Sequence, residues 1–200
     1  DTALPATDPR RALMELYLPI TSATSARPVT IGHLGQSLDG FIAGPGGSLG
    51  WLEPFEKSGE DYGYPAFFES IDGLVIGRNT YETVLGFQAW PYGQKRVVVL
   101  THRPASARHG EELSAEEPSA LAERLGREGL RHLYVDGGAV ARSFLRARLV
   151  DELTLSIVPL VLGGGVRLFG EGEPGQPLAL LESRSWPSGT VQVRYRVPRP

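Results

Sequence analysis

Apolar residues in this chain come in short runs, and each run stops at a turn residue or gives way to a helical spacing. The runs at 29–34 and 41–43 read as strands, separated by Ser37-Leu38-Asp39-Gly40 and followed by the loop Gly44-Pro45-Gly46-Gly47. Tyr64, Phe67, Phe68 and Ile71 fall at i, i+3, i+4 and i+7, which predicts a helix over 64–71. Leu74-Val75-Ile76 reads as a short buried strand leading into a helix over 79–85. A second apolar strand, 96–100, ends at Thr101-His102-Arg103-Pro104. After an acidic loop, Pro118 opens a helix that carries Leu121 and Leu125 and is closed by Gly129. Leu133-Tyr134-Val135 is the next strand, and the following helix spans 138–148 with Val140, Phe144 and Leu145 inward.

Beyond that point the pattern changes. A long β-rich run at 153–162 leads to a glycine-rich loop, then to 178–182 and to 191–197 with alternating polarity. Strands interleaved with helices, then an antiparallel finish, predict an α/β domain of three layers: a central mixed sheet, flanking helices and an antiparallel C-terminal part. The domain is expected over 28–200. Residues 1–27 read as a tail whose apolar patch, Leu13-Met14-Glu15-Leu16-Tyr17-Leu18, fits a short docking helix or a flexible arm.

Composition removes whole classes of function. Two hundred residues with 41% hydrophobic content suit one domain with a substantial core. A formal net charge of −3 with both signs mixed, and no polybasic arm, argues against a nucleic-acid partner. Cysteine is absent, which excludes disulfides and thiolate chemistry and fits a reducing compartment, so a cytoplasmic location is expected. His33, His102, His109 and His132 lack paired ligand spacing, and no metal is expected. The longest apolar stretch, 153–166, contains Pro159 and is too short to span a bilayer; no basic segment plus apolar core marks a signal peptide.

Candidate chemistry sits where apolar runs meet turns or helix starts, the junctions at which free backbone N–H groups meet a phosphate or a flat heterocycle. Three motifs lie there: Ser37-Leu38-Asp39-Gly40-Phe41-Ile42-Ala43, Gly77-Arg78-Asn79-Thr80-Tyr81-Glu82 and Asp136-Gly137-Gly138-Ala139. At Gly77–Thr80 the helix dipole, the Thr80 hydroxyl and the Arg78 cation make a seat for a pyrophosphate or a 2′-phosphate. The alternative is a glycine turn with Thr80 as a cap and a solvated Arg78. The paired glycines after Asp136 let backbone approach a ligand closely, though not with the G-x-G-x-x-G spacing. There the alternative is a tight turn with Asp136 facing water. Thr101-His102-Arg103 either meets a ribose 2′-phosphate, selecting NADPH over NADH, or forms an exposed basic loop. Trp51 reads as a cover for a nicotinamide or pterin-like ring, or as a core tryptophan. Gly163-Gly164-Gly165 lacks a following Lys or Ser/Thr and reads as a turn or bulge.

These motifs, with Val150-Asp151-Glu152-Leu153 and Pro159-Leu160-Val161-Leu162, make the chain resemble the dihydrofolate-reductase-like superfamily. The resemblance is to the branch related to the reductase domain of riboflavin biosynthesis, and it runs from about Val29 to Val197. It implies a three-layer dihydrofolate-reductase-like fold and NADPH as cofactor. By that resemblance, Ala43 and Trp51 flank the nicotinamide and Gly77, Arg78 and Thr80 hold cofactor phosphates. Thr101, His102 and Arg103 line the adenosine end, and Gly137, Gly138, Ala139 and Val140 lie on the pyrophosphate. The substrate, a small pyrimidine- or pterin-like heterocycle, enters against His33, Ser37, Asp39 and Asp136, with Asp39 as the catalytic polar group.

The reaction so implied is hydride transfer to a C=N bond or a ring-opened sugar imine. It is most similar to that of 5-amino-6-(5-phosphoribosylamino)uracil reductase. Dihydrofolate reductase proper and a non-catalytic NADPH-binding module are the alternatives. His33 stands where riboflavin-pathway reductases usually carry a lysine. The acidic residue that dihydrofolate reductases place on their first helix has three candidates here, Glu53, Glu56 and Asp61. A homodimer built on the β-rich C-terminal part is also expected from the related reductases.

Overall fold

Leu74, Val75 and Ile76 expose none of their surface, as a strand requires when both of its faces are covered. They belong to β3 in a computed structural model that describes residues 27–170 and 175–199; the patch at Leu13–Leu18 lies outside the described residues. Along the chain come β1 (Val29–Ser37), β2 (Phe41–Ala43), the one-turn helix α1 (Glu53–Glu56), α2 (Tyr64–Ser70), β3 (Gly73–Gly77) and α3 (Arg78–Val84). Next are β4 (Arg96–Leu100), β5 (Glu112–Ser114), α4 (Pro118–Arg127), β6 (His132–Asp136) and α5 (Gly138–Arg146). Then follow β7 (Glu152–Val158), β8 (Val166–Arg167), β9 (Ala179–Ser185) and β10 (Val191–Arg196).

Eight of these strands form one sheet in the order β5-β4-β3-β6-β1-β7-β10-β9, while β2 and β8 pair apart from it. The strands from β5 to β7 are parallel, and β10 runs antiparallel to both of its neighbours. Alternate residues of the parallel strands feed two cores. Val75, Val98, Leu133, Val135 and Leu153 pack with Leu121 and Leu125 of α4 and Phe144 of α5. On the other face Leu74, Ile76, Val97, Val99 and Tyr134 pack with Tyr81 and Val84 of α3 and with Phe67 and Phe68 of α2. The expected three-layer α/β architecture is therefore present. Among the described residues no helix is long and apolar enough to cross a membrane.

The differences from the sequence reading have local causes. β5 forms within the stretch read as an acidic loop, because Glu112 meets Arg96 at 2.8 Å and pairs with Arg124, which offsets its charge at the sheet edge. β1 continues to Ser37 because its last three residues pair with Ser156–Val158. α5 stops at Arg146, where Arg148 turns to φ +53 and the N–H of Leu149 bonds the carbonyl of Phe144 at 2.9 Å.

The topology also sets the place of the chemistry. Parallel strands put their carboxyl ends along one edge, and α3 and α5 start immediately after β3 and β6 at that edge.

Candidate active site

A cleft of about 1110 Å³ runs along the carboxyl ends of β4, β3, β6, β1 and β7. Its walls include His33, Ala43, Gly77, Arg78, Thr80, Thr101, His102, Arg103, Asp136, Gly137, Gly138, Ala139 and Val140, gathered from four separate parts of the chain.

On the β3–β4 side, α3 and α5 both begin without a side-chain cap and without an acidic residue in the first turn. Their first-turn N–H groups therefore face the cleft with no side chain spent on them. Thr80 is thus not a cap, contrary to the simpler sequence reading. Gly137 has φ +84, and a Cβ there would stand 2.2 Å from Thr80 Oγ1. A Cβ on Gly138 would stand 2.4 Å from Ile42 Cδ1. The paired glycines therefore have a structural reason as well: they admit the neighbouring Thr80 and Ile42, and that close packing brings the two helix starts together.

Arg78 is held by Glu82 at 2.6 Å and donates to the carbonyl of Pro104 at 3.1 Å, so it ties α3 to the loop after β4. That loop carries His102 and Arg103 and begins in a turn closed by Arg103 N–H on Thr101 Oγ1, 3.1 Å. Its far end is anchored by Glu111. The Glu111 carboxylate accepts the N–H groups of Arg108 and His109 at 2.6 and 2.7 Å and a very close hydroxyl from Tyr81. Burial opposes its charge, but these donors hold the carboxyl below its ordinary range.

On the β1–β7 side the floor is Asp136. Its Oδ1 accepts the N–H of Gly137 at 2.8 Å, and the Tyr92 hydroxyl donates to Oδ2 at 3.4 Å. Burial pushes the Asp136 carboxyl above the ordinary aspartate range, against the pull of Gly137, Tyr134 and Tyr92. Asp136 therefore does not stand free in water. His33 packs its ring on Phe67 at 4.5 Å and edge-on to Tyr64 at 5.7 Å. Burial lowers the His33 imidazole to about 4, so the ring is neutral at physiological pH, and the Tyr134 hydroxyl holds the His33 carbonyl at 2.9 Å.

Three expected site residues fall outside the cleft walls. Ser37 Oγ donates to Asp39 at 2.7 Å and accepts the Phe41 N–H at 3.0 Å, which closes the β1–β2 turn. The Asp39 carboxylate also accepts the N–H groups of Leu162 and Gly163 at 3.0 and 2.8 Å. The Ser37 hydroxyl, together with those two N–H groups, holds the Asp39 carboxyl down at about 2. A carboxylate so engaged is a clamp for the loop at 160–165, which corrects its assignment as the catalytic group and that of Ser37 as a substrate contact. The same loop presses on β2: Gly165 lies so close to the Ala43 carbonyl that a Cβ would come within 2.1 Å. Trp51 is half-buried in the turn Gly50–Leu52 and does not line the cleft, whereas Leu49, Leu52 and Phe55 around it do. An amphipathic single-turn stretch presents its aliphatic and phenyl groups inward and turns the indole away.

Among the three carboxylate candidates, Glu56 lines the cleft. Glu53 pairs with Lys57, and Asp61 accepts the Gly63 N–H at 2.9 Å. Sequence reasoning missed Tyr92 and Tyr134 at the floor. Tyr134 had a legible signal, its place two residues before Asp136 in a strand. Tyr92 had none, because it reaches the site from an irregular segment.

An NADPH-sized group meets fitting chemistry here: two uncapped helix starts side by side, and His102 and Arg103 at the end of β4.

Comparison with known proteins identifies the family. Residues 28–192 match the RibD C-terminal domain family. The chain is 35% identical over 169 residues to the uncharacterized protein YwjB of Bacillus subtilis (strain 168), covering 83% of this chain and 96% of that one. A solved protein of Shewanella sp. PV-4, provisionally named a riboflavin biosynthesis protein, is 35% identical with TM-score 0.79, covering 86% of this chain and 99% of the other. Dihydrofolate reductase of Enterococcus faecalis, solved with NADP(H) and RAB-propyl, is 17% identical with TM-score 0.61, covering 86% and 97%. At that identity the likeness is one of fold, and the fold is dihydrofolate-reductase-like.

Proposed function

The chain belongs to the RibD C-terminal domain family, and from that premise we propose that it is an NADPH-dependent reductase of a pyrimidine- or pterin-like heterocycle. Its reaction resembles that of 5-amino-6-(5-phosphoribosylamino)uracil reductase. The observation that carries the reading is the pairing of the two uncapped helix starts, packed through Gly137 on Thr80, beside the half-buried acid Asp136.

When bound, the nicotinamide supplies a hydride for a C=N bond. The chain supplies position, dryness and a proton. Gly77–Thr80 and Gly137–Val140 hold the phosphates, Thr101, His102 and Arg103 the adenosine end, and Ala43 borders the nicotinamide. Asp136 keeps a proton at its carboxyl to a higher pH than an exposed aspartate and sits within reach of Tyr92. It is the group suited to protonate the nitrogen of that C=N bond as hydride reaches its carbon, or to hold adjacent N–H groups of the substrate. The neutral His33 offers one donor and one acceptor at the same wall. A homodimer through the C-terminal strands belongs to the same reading, since β9 is a sheet edge with mostly exposed side chains.

The test is a fluorescence titration with NADPH and NADH in parallel, followed by NADPH oxidation with pyrimidine substrates and with dihydrofolate. NADPH-selective binding and turnover of a pyrimidine support the reading. Turnover of dihydrofolate alone assigns the dihydrofolate reductase reaction instead. Binding without any turnover leaves a cofactor-binding module, and no binding of either nucleotide ends the reductase reading.

A further inference from the structure

Cationic side chains lining the cleft are divided unequally between its halves. β6 stands in the middle, with β3 and β4 on one side and β1 and β7 on the other. The β3–β4 side carries Arg78, His102 and Arg103, together with Glu116 and Glu117, and Glu116 is paired with Arg124. Arg142 rises from α5 and donates to the carbonyls of Arg167 and Leu168 at 2.8 and 3.1 Å. On the β1–β7 side the carboxyl groups are Glu56 and Asp136, and no Arg or Lys among the described residues lines it. His33, Tyr64, Ser156 and Thr190 supply its other polar atoms.

A phosphate brought to that half meets two carboxyl groups and no guanidinium or ammonium. Phosphate sites are built from such cations or from unspent backbone N–H groups, and here both lie on the opposite half. A second cavity of about 360 Å³ opens beyond His33 and Tyr62, which line both spaces. It carries no surplus of positive charge either. Arg194 is held by Glu152 at 2.6 and 2.9 Å, and Arg184, which lies 3.8 Å over the Trp186 ring, shares the cavity with Glu182.

We infer that the substrate reduced in this cleft carries no phosphate: it is a neutral planar nitrogen heterocycle, its N–H edge turned to Asp136 and its substituent uncharged. This rests on the reductase reading above and narrows its substrate class. The half that holds the guanidinium groups and the free helix starts is then left to the phosphates of the nucleotide.

The experiment titrates the NADPH-loaded protein, by calorimetry, with 5-amino-6-(ribosylamino)uracil and with its 5′-phosphate. The phosphate-free compound should bind at least about tenfold more tightly. Equal or tighter binding of the phosphate overturns the inference, as does absence of binding by either compound up to millimolar concentration. NADPH is titrated first; failure at that step overturns the reductase reading and not the substrate class. Glu56 is exposed on α1, so Glu56→Lys changes the charge at the mouth without disturbing a core. It should narrow the preference severalfold, and an unchanged preference removes the electrostatic argument.

Discussion

Gly163 donates its N–H to the Asp39 carboxylate at 2.8 Å, across 124 residues of sequence. The bond makes Asp39 part of the frame that supports Ala43 and β2, one step removed from the chemistry. Asp39→Ala should therefore lower the midpoint of thermal unfolding. It should raise the apparent Kd for NADPH more than it lowers kcat, which should stay within about threefold at saturation. Asp39→Asn keeps an acceptor for the Gly163 N–H and should recover much of the loss. A kcat fall of a thousandfold or more at saturating substrates would restore Asp39 to the catalytic role.

Asp136 carries the opposite expectation. Asp136→Asn preserves the acceptor for the Gly137 N–H but removes the proton, so kcat should fall by roughly 10²–10⁴-fold with little change in NADPH affinity. Burial raises this carboxyl, so the acid form is lost as pH rises through its folded pKa, and the wild-type rate should fall over that same rise. The variant should show no such limb. The sign for stability follows too. A group raised by burial stabilises the fold fully below its unfolded pKa and loses that contribution as pH climbs. At pH 8 the Asn variant should be at least as stable as the wild type, which chemical denaturation at two pH values checks.

For His33 the sign reverses. Burial holds the ring at about 4, below its ordinary value of 6.5, so the unfolded chain takes up this proton first as the solution is acidified. Stability from His33 is present above pH 6.5 and is lost as pH falls toward 4, by on the order of 3 kcal/mol. His33→Gln should flatten that part of the stability curve. An unaltered slope between pH 4 and 6.5 would count against a buried neutral imidazole.

Gly137 and Thr80 form a tight joint between the starts of α3 and α5. Gly137→Ala imposes a left-handed backbone on an alanine at φ +84 and drives its methyl group into Thr80 Oγ1. A loss of about 1–3 kcal/mol in stability is expected, together with weaker NADPH binding. Combining it with Thr80→Ala removes the hydroxyl from the collision and should return part of the loss, leaving the backbone strain. Strict additivity of the two substitutions would mean that the contact does not limit the approach of α3 to α5.

Periodicity along the chain was enough to draw the layers, because Leu74, Val97 and Leu133 alternate or cluster in the way buried parallel strands must. It was enough to bring Gly77 and Gly137 together as well, since both mark strand-to-helix junctions that topology places at one edge. The substrate side was less legible for a physical reason. Ser37 and Asp39 are chemically suited to catalysis, and only the partners Phe41, Leu162 and Gly163 reveal that their hydrogen-bonding capacity is already used. Tyr92 acts from a loop whose residues have no period. Trp51 lost its place to Leu52 and Phe55 because a single turn decides which side chain faces the cleft, and that turn has no pattern long enough to read.

β1 is the first strand among the described residues but sits inside the sheet between β6 and β7, and it bonds Ser156–Val158 through its last residues. During synthesis, then, the wall that carries His33 waits without its second neighbour until the ribosome has passed Val158. Contacts this distant in sequence slow folding, and they leave β1 unpaired until β6 and β7 have been made. A split of this protein anywhere before β7 should yield fragments that reassemble only together, with neither half able to build the cleft alone.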